Sequence, residues 1–528
     1  MRKLFQNAAA DIPASVVVFL IALPLCLGIA LGSGAPLFAG IISGMVGGIV
    51  IGFLSGSPLS ISGPAAGLTA IVAVAIGKMP AYEAFLLSVV IAGILQIILG
   101  FLRAGIIGDY IPNSVILGML ASIGLVLILK QFPHLIGYDA DYSGDETFIQ
   151  GDQNNTFSEL INSVNNITPI AFIIGILSIL ILMIWDRPKI KKIKFFKNLP
   201  GPLVVVIVGI LINVFFTTEG TRFSLNTNQL VNLPVATSFS SFSGFFMFPK
   251  WEYLNNADVW ITGLTIALIG SIETLLGIEA VDKLDPLKRR TPANRELKAQ
   301  GVGNLVSGLL GGLPLTSVIV RGSANVEAGA KSKLSAIMHG MLILLSVLFI
   351  PGLLNKIPLS ALAAILIMTG YKLVKPSVFK SMYKKGWDQF IPFIVTLVAI
   401  LFTDLLIGIL IGTVVALFSL VRSNFKSAVM VMHDGDKYLV RFRKDISFLN
   451  KPIVKEKLES VPPDSYVLID MTRSDFIDKD IIDVINEYLQ HAHLKNIRVE
   501  IKKSLFKAGH QLVYDQATIG EYKSTPSH

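Results

Sequence analysis

The sequence predicts an α-helical polytopic membrane protein with a small α/β domain at its C-terminal end. Of its 528 residues, 52% are apolar and only 15% are charged. Uncharged windows of about 20 residues recur from Ile12 to Leu420, and each is long enough to cross a hydrocarbon core of about 30 Å. After Phe425 this pattern stops, and short apolar runs alternate with amphipathic stretches.

About 14 apolar spans are predicted along residues 1–425, which we interpret as the transmembrane domain. The spans lie near 12–31, 36–54, 64–77, 83–102, 107–130, 167–185, 201–217, 258–281, 298–312, 315–330, 334–352, 357–374, 389–403 and 405–422. The third and the tenth are short and interrupted, so we expect half-helices there. Two repeats, about 12–217 and 258–423, then hold an odd number of spans each, which makes them inverted relative to each other.

The net charge is +9, and its basic residues are grouped in clusters between the apolar spans. They do not form one continuous basic region suited to nucleic acid. Basic clusters occur at 187–197, 283–298 and 372–385, whereas the stretch after Pro133 is acidic and has no Lys or Arg before Arg187. Under the positive-inside rule, the basic loops are cytoplasmic and the acidic loop is outside. We therefore expect an integral protein of a bacterial inner (plasma) membrane, with both termini in the cytoplasm and no nucleic-acid partner.

Two broken apolar segments, residues 62–69 and 311–317, occupy matching places in the two halves. Pro64 lies roughly 52 residues into the first half and Pro314 roughly 56 into the second, and such matched interruptions point to a transporter's binding site. We expect the short helices to start near Pro64 and Leu315, with their N-termini facing each other at the midplane. Facing helix N-termini present free N–H groups and partial positive charge, which suits an anion.

Both broken segments contribute candidate anion-binding residues. Glycine lets an anion approach the backbone, Pro fits a first helical turn, and hydroxyl groups add donors. Arg321, one helical turn past Ser317, is expected to share its face and either attract the anion or anchor the cytoplasmic end of the helix. The full set is Gly63, Pro64, Ala65, Ala66, Thr69, Leu315, Thr316, Ser317 and Arg321. The alternative is that these Gly and Pro residues are plain kinks or packing points.

Glu273, near the middle of the eighth span, is the candidate coupling residue. A carboxylate at this depth costs on the order of 3 kcal/mol, so it usually faces a cavity or a partner. Ionised, it can bind a cation, and neutral, it can carry a proton. The alternative is a protonated glutamate that hydrogen-bonds a neighbouring helix. Asp404, at the turn into the last span, is interpreted as a helix N-cap.

The sequence predicts no enzyme, metal site or cofactor. The single cysteine, Cys26, lies within the first span, which leaves neither a disulfide framework nor a cysteine metal site. Of the seven histidines, only His339 lies in an apolar span. A membrane enzyme would need clustered His, Asp or Cys residues there.

Residues 430–528 are predicted to form a separate cytoplasmic domain. Strands are expected at 438–443, 466–471 and 497–501, with helices near 451–460 and 478–493. Strands that alternate with helices favour a small α/β domain of about 100 residues.

Several motifs resemble those of the SulP (sulfate permease) family of anion transporters with a C-terminal STAS domain. They are Asp11-Ile-Pro-Ala-Ser, Ala22-Leu-Pro-Leu, Ser62-Gly-Pro-Ala-Ala, Gly311-Gly-Leu-Pro, Arg321-Gly-Ser-Ala-Asn and Gly329-Ala-Lys-Ser, and the resemblance covers essentially the whole chain. It implies seven-plus-seven inverted repeats, a core domain that moves against a gate domain, a homodimer, and a substrate among sulfate, bicarbonate, chloride and dicarboxylates. It also implies a central site between the third and tenth helices, with an acidic residue of the eighth that falls on Glu273.

The chain departs from the family pattern at two places. Members that use sodium resemble one another in an Asp followed by a hydroxyl one turn later, whereas this chain has Glu273 and Gly277. Sodium coupling is therefore less expected than proton coupling or exchange. Phosphorylated relatives carry a loop like Asp-Ser-Ser-Gly, but residues 476–481 here contain no hydroxyl side chain, so we expect packing or partner docking at this loop rather than a phosphoswitch.

The predicted function is secondary active transport of a small inorganic anion, of the sulfate or bicarbonate class, by alternating access. A nucleobase permease of the same fold is one alternative, against which the STAS-like tail and the Gly/Pro anion signature argue. A passive anion channel is the other. A comparison of uracil uptake with sulfate uptake would test the nucleobase permease. A comparison of counterflow with voltage-driven conductance would test the channel.

Overall fold

The chain forms two compact units, residues 1–415 and 416–528, with the boundary inside the last apolar helix. The structure is a computed structural model that describes residues 5–140, 148, 155–187, 190, 199–218, 224–235, 242–426, 429–504 and 511–514.

The first unit is almost entirely helical where it is described. Its main helices are α1 (Ala8–Gly32), α2 (Leu37–Leu54), α3 (Thr69–Lys78), α4 (Tyr82–Phe101), α5 (Asn113–Leu135), α6 (Thr156–Asn165), α7 (Pro169–Trp185), α8 (Gly201–Thr218), α9 (Ala257–Leu284), α10 (Ala293–Leu310), α11 (Ile319–Glu327), α12 (Leu334–Phe349), α13 (Leu359–Leu373), α14 (Pro376–Lys384), α15 (Trp387–Phe402) and α16 (Leu405–Lys426). Every predicted span has a helical counterpart, and the polytopic helical fold is confirmed. Helices α6 and α14 lie outside the predicted spans.

The number of membrane crossings is smaller when only length and composition are considered. In the described ranges, six helical segments are long and apolar enough to cross a membrane alone: Phe5–Gly32, Leu37–Leu54, Tyr82–Phe101, Asn113–Leu135, Ala257–Leu284 and Leu359–Lys384. The pair α6 and α7, bent by 114°, makes a seventh if it counts as one span. The remaining apolar helices are shorter, and 14 crossings stays a prediction.

Proline shifts the start of two predicted helices. The fifth span was expected from 107, but Ala104–Tyr110 forms a 3₁₀ helix, and α5 begins only after Pro112. In the other direction, α10 begins directly after Pro292 instead of at 298. Proline restricts the residue before it to extended backbone, which favours a helix start immediately after the proline.

Glycines allow several helices of the first unit to approach one another closely. A Cβ on Gly48 of α2 would come 2.5 Å from Cα of Gly340 in α12, and one on Gly93 of α4 would come 2.6 Å from the Gly301 carbonyl oxygen in α10. Small residues allow this contact, as is usual where membrane helices cross. As a result α4 lies directly along α10.

The two broken segments pair with each other as short strands. Strand β1 (Ser62–Pro64) runs antiparallel to β2 (Leu315–Ser317), with Gly63 opposite Thr316. A 3₁₀ turn, Ala66–Leu68, then leads into α3, and α11 begins at Ile319. The half-helices were expected to start near Pro64 and Leu315, but the first helical segment begins at Ala66 and the second at Ile319, so both start a few residues later than expected. Pairing explains the difference, because buried backbone polar groups within a membrane must find partners in the protein.

The second unit contains a four-stranded sheet. Its strands are β3 (Val429–Asp434), β4 (Lys437–Phe442), β5 (Tyr466–Asp470) and β6 (Arg498–Lys502), in spatial order β3-β4-β5-β6. Strands β3 and β4 are antiparallel, and the others pair in parallel through helices α17 (Lys451–Glu459) and α18 (Lys479–Ala492). Val440, Ile469, Ile481 and Ile485 belong to its own buried core. The predicted α/β pattern is confirmed, and β3 is an additional strand.

Candidate functional site

The candidate site is built on the β1–β2 strand pair. The strands are antiparallel, and each is followed by a helix, so α3 and α11 leave from opposite ends of the pair. Both helix starts therefore lie beside the strands, with backbone N–H groups that have no partner within their own helix. This is the arrangement expected of two oppositely directed half-helices, although each starts a few residues later than the sequence indicated.

A small cavity of about 40 Å³ lies between these helix starts. It is lined by Ala65, Ala66, Gly67, Ile123, Glu273, Thr316, Ser317, Val318, Ile319, Val320 and Leu405. The structure thus brings together Ala65, Ala66, Thr316, Ser317 and Glu273 from the predicted set. It places Gly63, Pro64, Thr69, Leu315 and Arg321 outside this lining.

Glu273 reaches the cavity from α9 and lies against the first broken segment. Only 5% of the surface of Glu273 is exposed to solvent. A Cβ on Gly67 would come 2.1 Å from Oε1 of Glu273, so no larger residue fits at position 67 without a shift. The expectation that an acid of the eighth span faces a cavity agrees with this geometry.

Gly277, one turn after Glu273, allows α9 to approach β2. A Cβ on Gly277 would come 2.3 Å from the Ser317 carbonyl oxygen and 3.0 Å from Ser317 Oγ. Any side chain there would collide with the backbone of β2. Sodium-using members of the resembled family carry a hydroxyl side chain at this position. In this chain the position is a glycine, and α9 packs closely on the second broken segment there.

The hydroxyl groups of the two segments differ in their surroundings. Ser317 Oγ shares a short hydrogen bond with Ser60 Oγ, which ties β2 to the chain before β1. Thr69 stands at the start of α3, and within the described part of the chain its buried Oγ1 has no hydrogen-bond partner. Among the described residues that line the cavity, the ones with a hydroxyl group are Thr316 and Ser317.

Arg321 occupies a different place from the one expected. Ser317 lies in β2 and not in a helix, so the two residues do not share a helical face. The Arg321 side chain is fully buried, and its Nη2 donates to Cys26 Sγ at 3.3 Å. A Cβ on Gly63 would come 2.1 Å from Arg321 Nη1. Arg321 therefore packs against β1 outside the cavity lining.

Some lining residues were not among the sequence-based candidates. Gly67 belongs to the first broken segment, and a glycine within such a segment is a signal that could have identified it as a lining residue. Ile123 of α5 and Leu405 of α16 are ordinary apolar residues of long spans, and nothing in the sequence distinguishes them. Asp404 is confirmed as an N-cap, because its Oδ1 accepts the Ile407 N–H at 2.9 Å. In the described residues, no cluster of three or more His, Cys, Asp or Glu is arranged to hold a metal ion.

A helical membrane fold in which two broken segments meet at a small cavity beside an intramembrane acid is typical of a class of proteins, the membrane transporters. The particular family follows from comparison with known proteins. The family model described as the sulfate permease family matches residues 9–399, and the chain belongs to this family. The match ends before the α/β unit.

Known relatives are distant but extend along most of the chain. A protein named putative sulfate transporter YvdB, from Bacillus subtilis, is 26% identical over 425 residues, which are 79% of this chain and 74% of the relative. The bicarbonate transporter BicA of Picosynechococcus is 27% identical over 449 residues, 82% of this chain and 74% of the relative.

Solved structures share the fold. The transmembrane domain of a cyanobacterial bicarbonate transporter BicA has a TM-score of 0.53 at 24% identity, over 78% of this chain and 98% of that one. The murine anion transporter Slc26a9 in its inward-facing state has a TM-score of 0.64 at 14% identity, over 93% of this chain and 85% of that one. At these identities the likeness concerns the fold alone.

Proposed function

We propose that the chain is a secondary active transporter of a small inorganic anion of the sulfate or bicarbonate class, and that it works by alternating access. The observation that carries the proposal is the cavity at the β1–β2 strand pair. The starts of two helices lie beside it, and Thr316 and Ser317 line it. The relatives are named as sulfate and bicarbonate transporters, which supports this class of substrate.

The anion is bound mainly by backbone N–H groups at the 3₁₀ turn before α3 and at the start of α11. Helix N-termini carry partial positive charge and free donors, which bind oxyanions without a lysine or arginine contact. Thr316 and Ser317 add hydroxyl donors. The residues of the first segment closest to the anion are Ala65 and Ala66, with Gly63 and Pro64 behind them.

Binding requires the cavity to open. Its volume of about 40 Å³ is little more than the roughly 30 Å³ that one water molecule occupies in the liquid, whereas sulfate and bicarbonate are larger than water. Apart from Glu273 of α9, the part of the wall that belongs to neither broken segment nor the start of α11 is formed by Ile123 of α5 and Leu405 of α16. Alternating access follows if α5 and α16 separate from the β1–β2 strand pair first on one side of the membrane and then on the other.

Glu273 couples transport to protons. Two like charges about 4 Å apart repel by about 4 kcal/mol at an effective dielectric constant of 20, so an anion in the cavity favours the neutral, protonated acid. Proton symport with the anion, or exchange, follows from this preference. Sodium coupling is less favoured, because Gly277 offers no hydroxyl ligand.

Arg321 contributes charge rather than contact. Its guanidinium lies against Gly63 of β1, and its Nε and Nη1 find no hydrogen-bond partner in the described ranges. A buried positive charge beside β1 favours an anion in the neighbouring cavity, because little water screens it there.

The remaining parts of the proposal concern assembly and location. The α/β unit is a STAS-like domain, and the transporter is a homodimer in a bacterial inner (plasma) membrane with both termini cytoplasmic. It is not an enzyme, and it needs no cofactor or metal.

The test is a panel of labelled-anion uptake into proteoliposomes that contain the full-length chain. Uptake of sulfate or bicarbonate, with counterflow and stimulation by an imposed proton gradient but not by sodium, is the expected result. Uracil uptake without anion uptake would replace the proposal with a nucleobase permease. Voltage-driven anion conductance without counterflow would replace it with a channel.

A further inference from the structure

The outer edge of β2 faces a helix instead of another strand. The Val318 N–H donates to the Ile61 carbonyl at 2.9 Å, just beyond the paired residues. Bonded and non-bonded pairs alternate along an antiparallel pair. The backbone N–H and C=O of Leu315, opposite Pro64, therefore point away from β1, and within a membrane they require partners.

The side chain of Asn304, on α10, meets both requirements. Its Oδ1 accepts the Leu315 N–H at 2.5 Å, and its Nδ2 donates to the Leu315 carbonyl at 3.0 Å. The same Nδ2 also donates to Gln96 Oε1 of α4 at 2.6 Å, which holds the amide in this orientation. One side-chain amide thus makes the two backbone bonds that a neighbouring strand would make.

The chain is held again two residues earlier. The Leu313 N–H donates to Ser43 Oγ of α2 at 2.6 Å, and the Leu313 carbonyl accepts from Ser307 Oγ of α10 at 2.7 Å. Leu313 lies just before β2, and its carbonyl, like both backbone groups of Leu315, bonds a side chain of α10. Leu313 and Leu315 therefore both have their backbone N–H and C=O groups bonded by side chains.

Strand β1 is held from α10 as well. Gln300 Nε2 donates to Ser62 Oγ at 2.5 Å. Gln300, Asn304 and Ser307 follow one another at spacings of four and three, so they lie on one face of α10. All three are completely buried. We call these three residues the polar face of α10.

We infer that the polar face of α10 sets the position of the substrate-binding strands, with Asn304 as the central positioning residue. It holds Leu315 in place and thereby places Thr316, Ser317 and the start of α11 at the cavity. The consequence for anion binding rests on the function proposed above. The positioning itself does not, and it is measured without any anion.

The test uses Asn304→Leu, which is similar in size but can neither donate nor accept. The matched control is Asn213→Leu, because Asn213 is also buried and donates to a backbone carbonyl, that of Lys356 at 3.0 Å, far from the strands in sequence. Hydrogen–deuterium exchange is measured on the full-length protein in lipid nanodiscs. We expect residues 311–320 to exchange about tenfold faster in Asn304→Leu and unchanged in Asn213→Leu, since two hydrogen bonds are lost at Leu315.

A second variant protects the test against misfolding. Ser43→Ala with Ser307→Ala removes only two hydroxyls, and it should also speed exchange of residues 311–320, though less than Asn304→Leu. Exchange that matches the control in both variants would overturn the inference. In uptake assays, Asn304→Leu should raise the KM for the anion more than Asn213→Leu. Absence of anion uptake by the unmodified protein would remove the proposed function but leave the exchange result decisive for positioning.

Discussion

The carboxylate of Glu273 lies directly against Gly67, so close that a Cβ at position 67 would come 2.1 Å from Glu273 Oε1. The acid of α9 and the first broken segment therefore form one wall of the cavity. A change on either side of this contact alters the other, and the proposed coupling and binding groups are adjacent.

The first prediction concerns Gly67→Ala. The added methyl group meets only the carboxylate end of the flexible Glu273 side chain, which must move away from its present place beside the cavity. We expect a nearly unchanged melting temperature and reduced anion uptake. Gly77→Ala is the matched control, because Gly77 lies near the end of α3, the helix that follows this segment, and nothing is within 4 Å of a Cβ there. Equal uptake by the two variants would contradict the assigned contact.

The second prediction is that Glu273→Gln impairs gradient-driven accumulation while the protein stays folded. The amide keeps the shape of the side chain and its capacity for hydrogen bonds, but it cannot take up or release a proton. Glu279→Gln is the control, because Glu279 lies on the same helix and pairs with Lys283 at 3.1 Å at the helix end. Unchanged uphill uptake by Glu273→Gln would reject the coupling role.

The third prediction is that Gly63→Val and Gly312→Val abolish transport. The structure supplies a packing reason: a Cβ on Gly63 meets Arg321 Nη1 at 2.1 Å, and one on Gly312 meets Ser307 Oγ at 2.3 Å. Thr316→Ala and Ser317→Ala should be milder, with a loss of about 0.5–3 kcal/mol of binding free energy. Normal uptake by both valine variants, together with loss of binding in Arg321→Ala, would replace the helix-terminus site with an arginine site.

The fourth prediction concerns orientation. A cysteine placed at Asn154 should react with a membrane-impermeant reagent in intact cells, whereas one at Lys192 should react only after permeabilisation. Both positions lie outside the described residues, and their sides are predicted from charge. The native Cys26 is fully buried and should contribute no labelling. External labelling at Lys192 would reject the topology.

The fifth prediction is that the α/β segment folds alone and loses stability in acid. Burial by itself would raise the pKa of Asp470, but hydrogen bonds from Thr472 and Arg441 outweigh it and hold that pKa below its usual value. Stability from this group is therefore present above the unfolded pKa of about 3.9 and is lost as pH falls through the lowered folded pKa.

Urea unfolding of residues 429–528 at pH 7 and at pH 3 measures this effect. Arg441→Leu should cost about 1 kcal/mol at pH 7, because the Asp470 pair with Arg441, at 3.0 Å, is partly exposed. It should also reduce the acid-induced loss of stability. Arg443→Leu, an exposed arginine just after the same strand, should change neither quantity. An acid dependence unaltered by Arg441→Leu would count against the assigned partner.

The sequence by itself determined the features that depend on local pattern. Long uncharged windows can only be helices in a membrane, because a helix bonds its own backbone. The interruptions at residues 62–69 and 311–317, the depth of Glu273, and the strand–helix alternation after residue 430 are equally local. Strand β3 was missed because its apolar start, Val429, follows almost directly on the last apolar span.

Tertiary structure alone decided how the two interruptions meet. Pairing of Ser62 with Ser317 joins positions far apart in the chain, and it moves both helix starts beyond the expected residues. The burial of Arg321 against Gly63 and the two-point bond of Asn304 to Leu315 also depend on partners from other helices. No local pattern shows which distant group will satisfy a backbone bond, because in a membrane that choice is made by whichever helices pack alongside.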